Sequence, residues 1–303
     1  MRVRTPLVAM FLIFISVQLL AILLVPLYPS QYQAFPDVNN PIYPVLYVAL
    51  LLAMTAVILL LLRAGLGVVI RGFFLFAIGV STAVVALPLV YLVVPDPNIS
   101  FLISIALGVL LVVALIFKPE WYVVNTAGFV VGTGAAIILG ISFGILPVLI
   151  LLIILAVYDA ISVYKTKHMI TLAEGVVPLR LPVMFVVPKA KGFKMADLND
   201  KPLTAEPEER EAMFMGVGDA VIPAILTVSS YVFLPTASGS FQYASLTVAL
   251  GVVAGSAIGF LVLMRYVLKG NPQAGLPLLN GGAIIGFLIT YLLIYQNFSF
   301  GLM

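Results

Sequence analysis

Residues 146–165 read Leu-Pro-Val-Leu-Ile-Leu-Leu-Ile-Ile-Leu-Ala-Val-Tyr-Asp-Ala-Ile-Ser-Val-Tyr-Lys. A run of this length and apolarity crosses a bilayer as one helix. Yet it holds a carboxyl group, Asp159, six residues before Lys165. A second stretch, 212–234, reads Ala-Met-Phe-Met-Gly-Val-Gly-Asp-Ala-Val-Ile-Pro-Ala-Ile-Leu-Thr-Val-Ser-Ser-Tyr-Val-Phe-Leu, and Asp219 interrupts it in the same way. A charged Asp within a spanning helix costs at least about 2.5–3.5 kcal/mol on insertion scales. Such residues need a reason to exist, and their placement organises the rest of the chain.

Outward from these stretches the composition is that of a membrane protein. Of 303 residues, 63% are hydrophobic and only 9% charged, against about 25% charged in ordinary soluble domains. So few charges cannot cover a soluble surface of this size, which excludes a soluble globular chain. Apolar runs near 6–28, 43–62, 72–94, 99–117, 122–140, 146–164, 212–234, 242–264 and 277–295 predict nine spanning helices. The fold class expected is all-α, a polytopic membrane helix bundle. The first run follows Arg2 and Arg4 but is too long for a signal-peptide core, so it reads as a retained span.

The basic residues give the orientation. With the N-terminus cytoplasmic and nine alternating spans, the inside segments hold all 15 Lys and Arg residues, from Arg2 to Lys269, and the outside loops none. The positive-inside rule therefore supports N-terminus in and C-terminus out. The expected organisation is one membrane domain: six helices over 1–164, a cytoplasmic loop over 165–211, and three helices over 212–303. That loop holds eight of the 15 basic and seven of the 12 acidic residues. Its part from Asp197 to Glu211 is polar and proline-punctuated, and is expected to be mobile. Val176 to Pro188 is β-prone but too short and proline-rich to span.

Ten of the 12 acids fall in loops, which leaves Asp159 and Asp219. No Lys, Arg or His lies within a span, so each Asp has only the other as an ionisable partner. Asp159 lies about 9 Å along a helix from Lys165, and Asp219 at most about 13 Å from Arg210. Both acids are therefore expected at similar depth, nearer the cytoplasmic face, on consecutive antiparallel helices that usually pack together. Two carboxyls at close range cannot both ionise comfortably and share one proton. Such a pair suits aspartic proteolysis, in which a carboxylate activates water and a carboxylic acid polarises the scissile carbonyl. It equally suits an ion- or proton-coupled secondary transporter, or polar glue between helices.

The flanks are specific. Tyr158 precedes Asp159, and Gly216-Val217-Gly218 precedes Asp219. Glycines at these places let another backbone approach. At the start of the last run stands Gly275-Leu276-Pro277-Leu278-Leu279-Asn280. Its proline either leaves carbonyls free near the acids or simply starts a helix.

Tyr158-Asp159 and Gly216-Val217-Gly218-Asp219, split by a long inside loop, resemble the two active-site motifs of the presenilin and signal peptide peptidase family, the Gly-x-Gly-Asp intramembrane aspartyl proteases. Nine spans with an outside C-terminus resemble the presenilin arrangement; signal peptide peptidases have the opposite orientation. The compact loops suggest an archaeal member in a prokaryotic cell membrane. The resemblance implies that Asp159 and Asp219 are the catalytic pair, that Tyr158, Gly216 and Gly218 shape the site, and that Pro277, Leu278 and Leu279 bind substrate. Leu278 stands where the family's Pro-Ala-Leu motif has alanine. The family cleaves single transmembrane helices within the bilayer, so the partners expected are transmembrane-helix substrates and the lipid bilayer.

The remaining features are scaffold or exclusions. Gly251, Gly255 and Gly259, and Gly128 and Gly132, form small-residue faces for close packing, within the chain rather than in a homo-oligomer, though the latter stays open as a partner. Trp121, Tyr122, Tyr43 and Tyr47 suit interface anchoring. With no cysteine and a single histidine, His168, which receives no role, rhomboid-type and zinc chemistries lack their residues. No metal, other cofactor or nucleic-acid partner is expected. An unwound substrate helix needs partners for its backbone groups, which Val176 to Pro188 or the Pro277 region would supply by strand addition. Val176 to Pro188 reads rather as an interfacial loop packing its apolar face on the bundle.

Overall fold

The structure, a computed structural model, describes residues 4–166, 182–189, 192–193, 195, 212–235, 243–268 and 273–297. Nine α-helices occur among them: α1 (Arg4–Leu24), α2 (Ile42–Arg63), α3 (Gly67–Val93), α4 (Pro97–Phe117), α5 (Trp121–Ser142), α6 (Ile145–Ile161), α7 (Val217–Phe233), α8 (Ala244–Val267) and α9 (Gly275–Tyr295). Two strands, β1 (Met184–Pro188) and β2 (Ala212–Gly216), pair antiparallel. The stretch Asp197 to Glu211 and His168 lie outside the described residues.

Eight helices are long and apolar enough to span a membrane. The exception is α7, with 17 residues; α6 has as many but continues to Lys165 and so reaches 21. The sequence predicts a helix from 212, but residues 212–216 form β2 and the helix begins at Val217. Ala-Met-Phe-Met is apolar at every position, so it has no period that separates helix from strand. Pairing with Met184–Pro188 decides the matter. The β-prone segment thus forms a strand over its last five residues.

Contacts divide the chain into two compact units. One comprises Met1–Met10, Leu52–Gly134 and Met169–Val217. In it α3 and α4 are joined by a short turn. Asp96 starts α4 by accepting from the Asn98 and Ile99 amides at 2.9 Å, and Pro97 occupies the first turn, where its missing N–H costs nothing. Gly79 and Gly108 let the two backbones touch. The hairpin lies on α5: Gly128 leaves room for Val217 and for the Phe185 ring. Ile78, Leu115, Val124, Ala127, Val186 and Ala212 form the shared apolar core of helices and strands.

The other unit comprises Phe11–Leu51, Ala135–His168 and Gly218–Met303. At its centre is α7, in which every residue from Pro223 to Ser230 is buried. A helix that is apolar on all sides belongs inside a bundle. Its few polar groups are tied off: Thr227 donates to Gln18 Oε1 at 3.0 Å, Gln18 Nε2 donates to Ser256 at 3.0 Å, and Ser229 donates to the Phe143 carbonyl at 2.9 Å. Ser256 therefore serves a three-helix junction of α1, α7 and α8. The glycine face of α8 is used within the chain, as expected. Gly255 meets Gly282 and Gly286, and Gly259 meets Leu278 and Leu279, so α8 and α9 pack backbone to backbone.

Candidate active site

Asp159 lies two residues before the end of α6, on its buried side at 4% exposure. Asp219 is the third residue of α7 and is half-buried. The first turn of α9 brings them together. That helix has no side-chain cap of its own, since Ala274 occupies the capping position. Its orphan amides need acceptors, and Asp159 Oδ2 accepts from Leu276 N–H at 3.0 Å. Asp219 meets that turn from the other helix: a β-carbon built on Gly275 would stand 3.5 Å from its Oδ2. Both carboxyls thus converge on Gly275-Leu276.

This differs in one respect from the sequence expectation for Pro277. The groups turned toward the acids are amides, not freed carbonyls. Pro277 is the third residue of α9. A first helical turn presents N–H groups, and a proline there forfeits no helical bond. Pro277 and Leu278 are half-buried, and Leu279 is fully buried. There α8 offers Gly259 to the backbone of Leu278 and Leu279.

The glycines before Asp219 play separate parts. Gly216 closes β2, and the chain passes straight into α7. Gly218 is exposed, and a β-carbon there would meet nothing within 4 Å among the described residues. Among the described residues no backbone closes on Gly218, which leaves open space next to Asp219. Tyr158 is half-buried beside Asp159.

Three contacts around the pair escape the motif reading. Beyond Asp159, α6 continues as a π-helical turn, Ser162–Thr166, a feature frequent at functional sites. From it Tyr164 donates to Gln273 Oε1 at 2.6 Å and accepts weakly from the Ala274 amide at 3.4 Å. One turn into α9, the fully buried Asn280 donates through Nδ2 to the Leu152 carbonyl at 2.9 Å. The start of α9 is therefore fastened to α6 before, at and beyond Asp159. Asn280 gives a sequence signal, a polar side chain in an apolar run; Tyr164 gives none.

Comparison with known proteins agrees with this geometry. Residues 10–295 match the family "Signal-peptide peptidase, presenilin aspartyl protease". A solved structure of a presenilin family intramembrane aspartate protease, in space group C222, is similar at a TM-score of 0.69 and 36% identity, over 95% of this chain and 99% of that one. A structure described in the same words, in space group P2, gives 0.68 and 38%, over 95% and 98%. None of the curated proteins matches. The chain belongs to the signal-peptide peptidase and presenilin family and is a multi-pass membrane aspartic endopeptidase that works within the bilayer.

Proposed function

We propose that Asp159 and Asp219 are the catalytic pair of this protease. The observation that carries the reading is their convergence from α6 and α7 on the first turn of α9, with Asp159 held by the Leu276 amide. One carboxylate takes a proton from water as the water oxygen bonds to the scissile carbonyl carbon. The other, protonated carboxyl donates to the carbonyl oxygen. Collapse of the resulting gem-diol breaks the C–N bond: the first carboxyl passes its proton to the leaving nitrogen, and the second, by then a carboxylate, takes back a proton from a gem-diol hydroxyl. Tyr158, Gly216 and Gly218 shape the site, and Gly218 leaves room beside Asp219 for a substrate backbone. Pro277, Leu278 and Leu279 line it. The ion-coupled transporter alternative finds no support among the relatives.

The substrate is a single transmembrane helix, locally unwound. Its freed backbone groups pair with the outer edge of β2, which leads without a break into the helix that carries Asp219. The orientation read from the basic residues puts the N-terminus and the 165–211 loop in the cytoplasm and the C-terminus outside, in one membrane domain. The short loops favour a prokaryotic, archaeal cell membrane.

Purified enzyme and a model transmembrane peptide, with products read by mass spectrometry, test the assignment. Asp159→Asn and Asp219→Asn should each lower cleavage at least about 100-fold, the lower range for a lost acid or base, with thermal unfolding intact. Robust cleavage by either variant would remove that residue from the pair.

A further inference from the structure

The hairpin has two edges, and the structure treats them differently. On the β1 side, Asn125 of α5 makes two bonds to one residue. The Val186 amide donates to Asn125 Oδ1 at 2.8 Å, and Asn125 Nδ2 donates to the Val186 carbonyl at 2.8 Å. A carboxamide has the donor and acceptor of a peptide group, so Asn125 stands in for one residue of a third strand. Gly128, one turn along α5, lets the hairpin lie close enough for this.

The register carries the point across the sheet. In an antiparallel pair, the N–H and C=O of a residue point to the same side, and successive residues alternate. Those of Val186 point to α5. Its partner Phe214 therefore turns its own groups away from β1. The Val217 amide bonding to the Val183 carbonyl at 3.1 Å fits the same alternation. Ala212, Phe214 and Gly216 thus turn their groups to the outer side of β2, where Ala212 is buried and no hydrogen bond engages Phe214 among the described residues. A strand edge left open in a membrane protein invites pairing. Among the described residues, the β1 edge is engaged at Val186 and the β2 edge is not engaged at Phe214.

We propose that Asn125 is a positioning residue that seals the β1 edge, so that an unwound substrate adds only along β2, in one register. Asn125 acts through Val186, the residue it holds. The proposal rests on the strand-addition reading above and goes beyond it, by naming what makes the addition one-sided.

The absence of cysteine makes a direct test possible. Met213 and Val187 are partners in the register. Their backbone groups turn toward each other, so each would face an added strand in the closer, non-hydrogen-bonded pairing. Met213→Cys and, separately, Val187→Cys are placed in the uncleaving Asp219→Asn background. Each is oxidised with model transmembrane peptides that carry one cysteine at successive positions, and adducts are mapped by mass spectrometry. With Asn125 present, adducts at 213 should exceed those at 187 at least about tenfold, and should centre on one peptide position, as a fixed register requires. Asn125→Ala should bring adducts to 187 and spread those at 213 over several positions. In the active enzyme the same substitution should scatter the cleavage sites.

Asn125→Asp keeps the acceptor for the Val186 amide and loses the donor, so it should fall between the two. It also guards against a folding artefact, with thermal unfolding as the control. Adducts at 213 that ignore the residue at 125, with unscattered cleavage, would overturn the sealing role alone. Preference for 187 in the presence of Asn125 would overturn it too. No adduct at either edge, while the active enzyme still cuts the peptide, would overturn strand addition and the proposal with it.

Discussion

At the residue scale, two amide side chains carry the same signal as the two acids: polarity in an apolar run. Asn280 donates to the Leu152 carbonyl, while its Oδ1 has no hydrogen-bond partner among the described residues. An interhelical bond in a membrane averages about 0.6 kcal/mol, and an unmet buried acceptor offsets much of that. Asn280→Leu should therefore leave the thermal midpoint within a few degrees, on the order of 1 kcal/mol. Asn280→Asp replaces the donor by an acceptor facing a carbonyl and should lower the midpoint clearly. Equal midpoints for the two would sink this account. Tyr164 makes a complementary case. Its hydroxyl holds Gln273, two residues before the start of α9. Tyr164→Phe should lower kcat about fivefold, the worth of one ordinary hydrogen bond, with KM little changed, because the loss loosens the turn that presents Gly275-Leu276 rather than a substrate contact. The carboxyl pair was legible in the sequence because charge in an apolar run has few explanations. The Leu276 amide was not, since every residue has one and only the helix start decides where it points.

At the element scale, the two small-residue motifs look alike in sequence but are used differently. The α8 glycines press on the backbone of α9, where nothing can give way. On α5, Gly128 faces the hairpin residue Phe185 and the first residue of α7, Val217. Gly218 faces open space. Gly255→Ala should thus destabilise the protein by about 1–3 kcal/mol, as overpacking does, since its β-carbon would collide with the Gly282 carbonyl and with Gly286. Gly218→Ala should keep or raise the thermal midpoint, since alanine favours a helical position, yet should slow cleavage by filling space beside Asp219. Unfolding curves and cleavage rates of the pair separate the two roles; a stability loss at 218 would contradict the open space. The existence of each helix was legible from apolar length alone. The beginning of α7 was not, because β2 exists only through a partner strand 24 residues or more upstream, and strand pairing across a long loop leaves no local period.

At the scale of the whole molecule, the charges determine how the bundle sits in the bilayer, and orientation is where presenilins and signal peptide peptidases part. Taken as nine alternating spans, the apolar runs put all 15 basic residues on one side. Reversal would carry each of them across the membrane, and the basic bias of short loops fixes orientation strongly. It also has a consequence for chemistry, because the direction in which α6 and α7 run decides which face supplies water to the carboxyls and which polarity of substrate strand β2 receives. The cysteine-free chain lets single cysteines report the side. Ser30 precedes α2, Asn98 lies in the exposed start of α4, and Ala64 is exposed after Arg63. In intact cells a membrane-impermeant maleimide should modify Ser30→Cys and Asn98→Cys, and should reach Ala64→Cys only after the membrane is opened. None of these sites lies near the carboxyls in sequence, so the variants should keep their cleavage activity, which confirms that the labelled molecules are folded. Labelling of Ala64→Cys in intact cells, with Ser30→Cys and Asn98→Cys protected, would assign the opposite orientation and detach this chain from the presenilin arrangement while leaving the Asp pair in place.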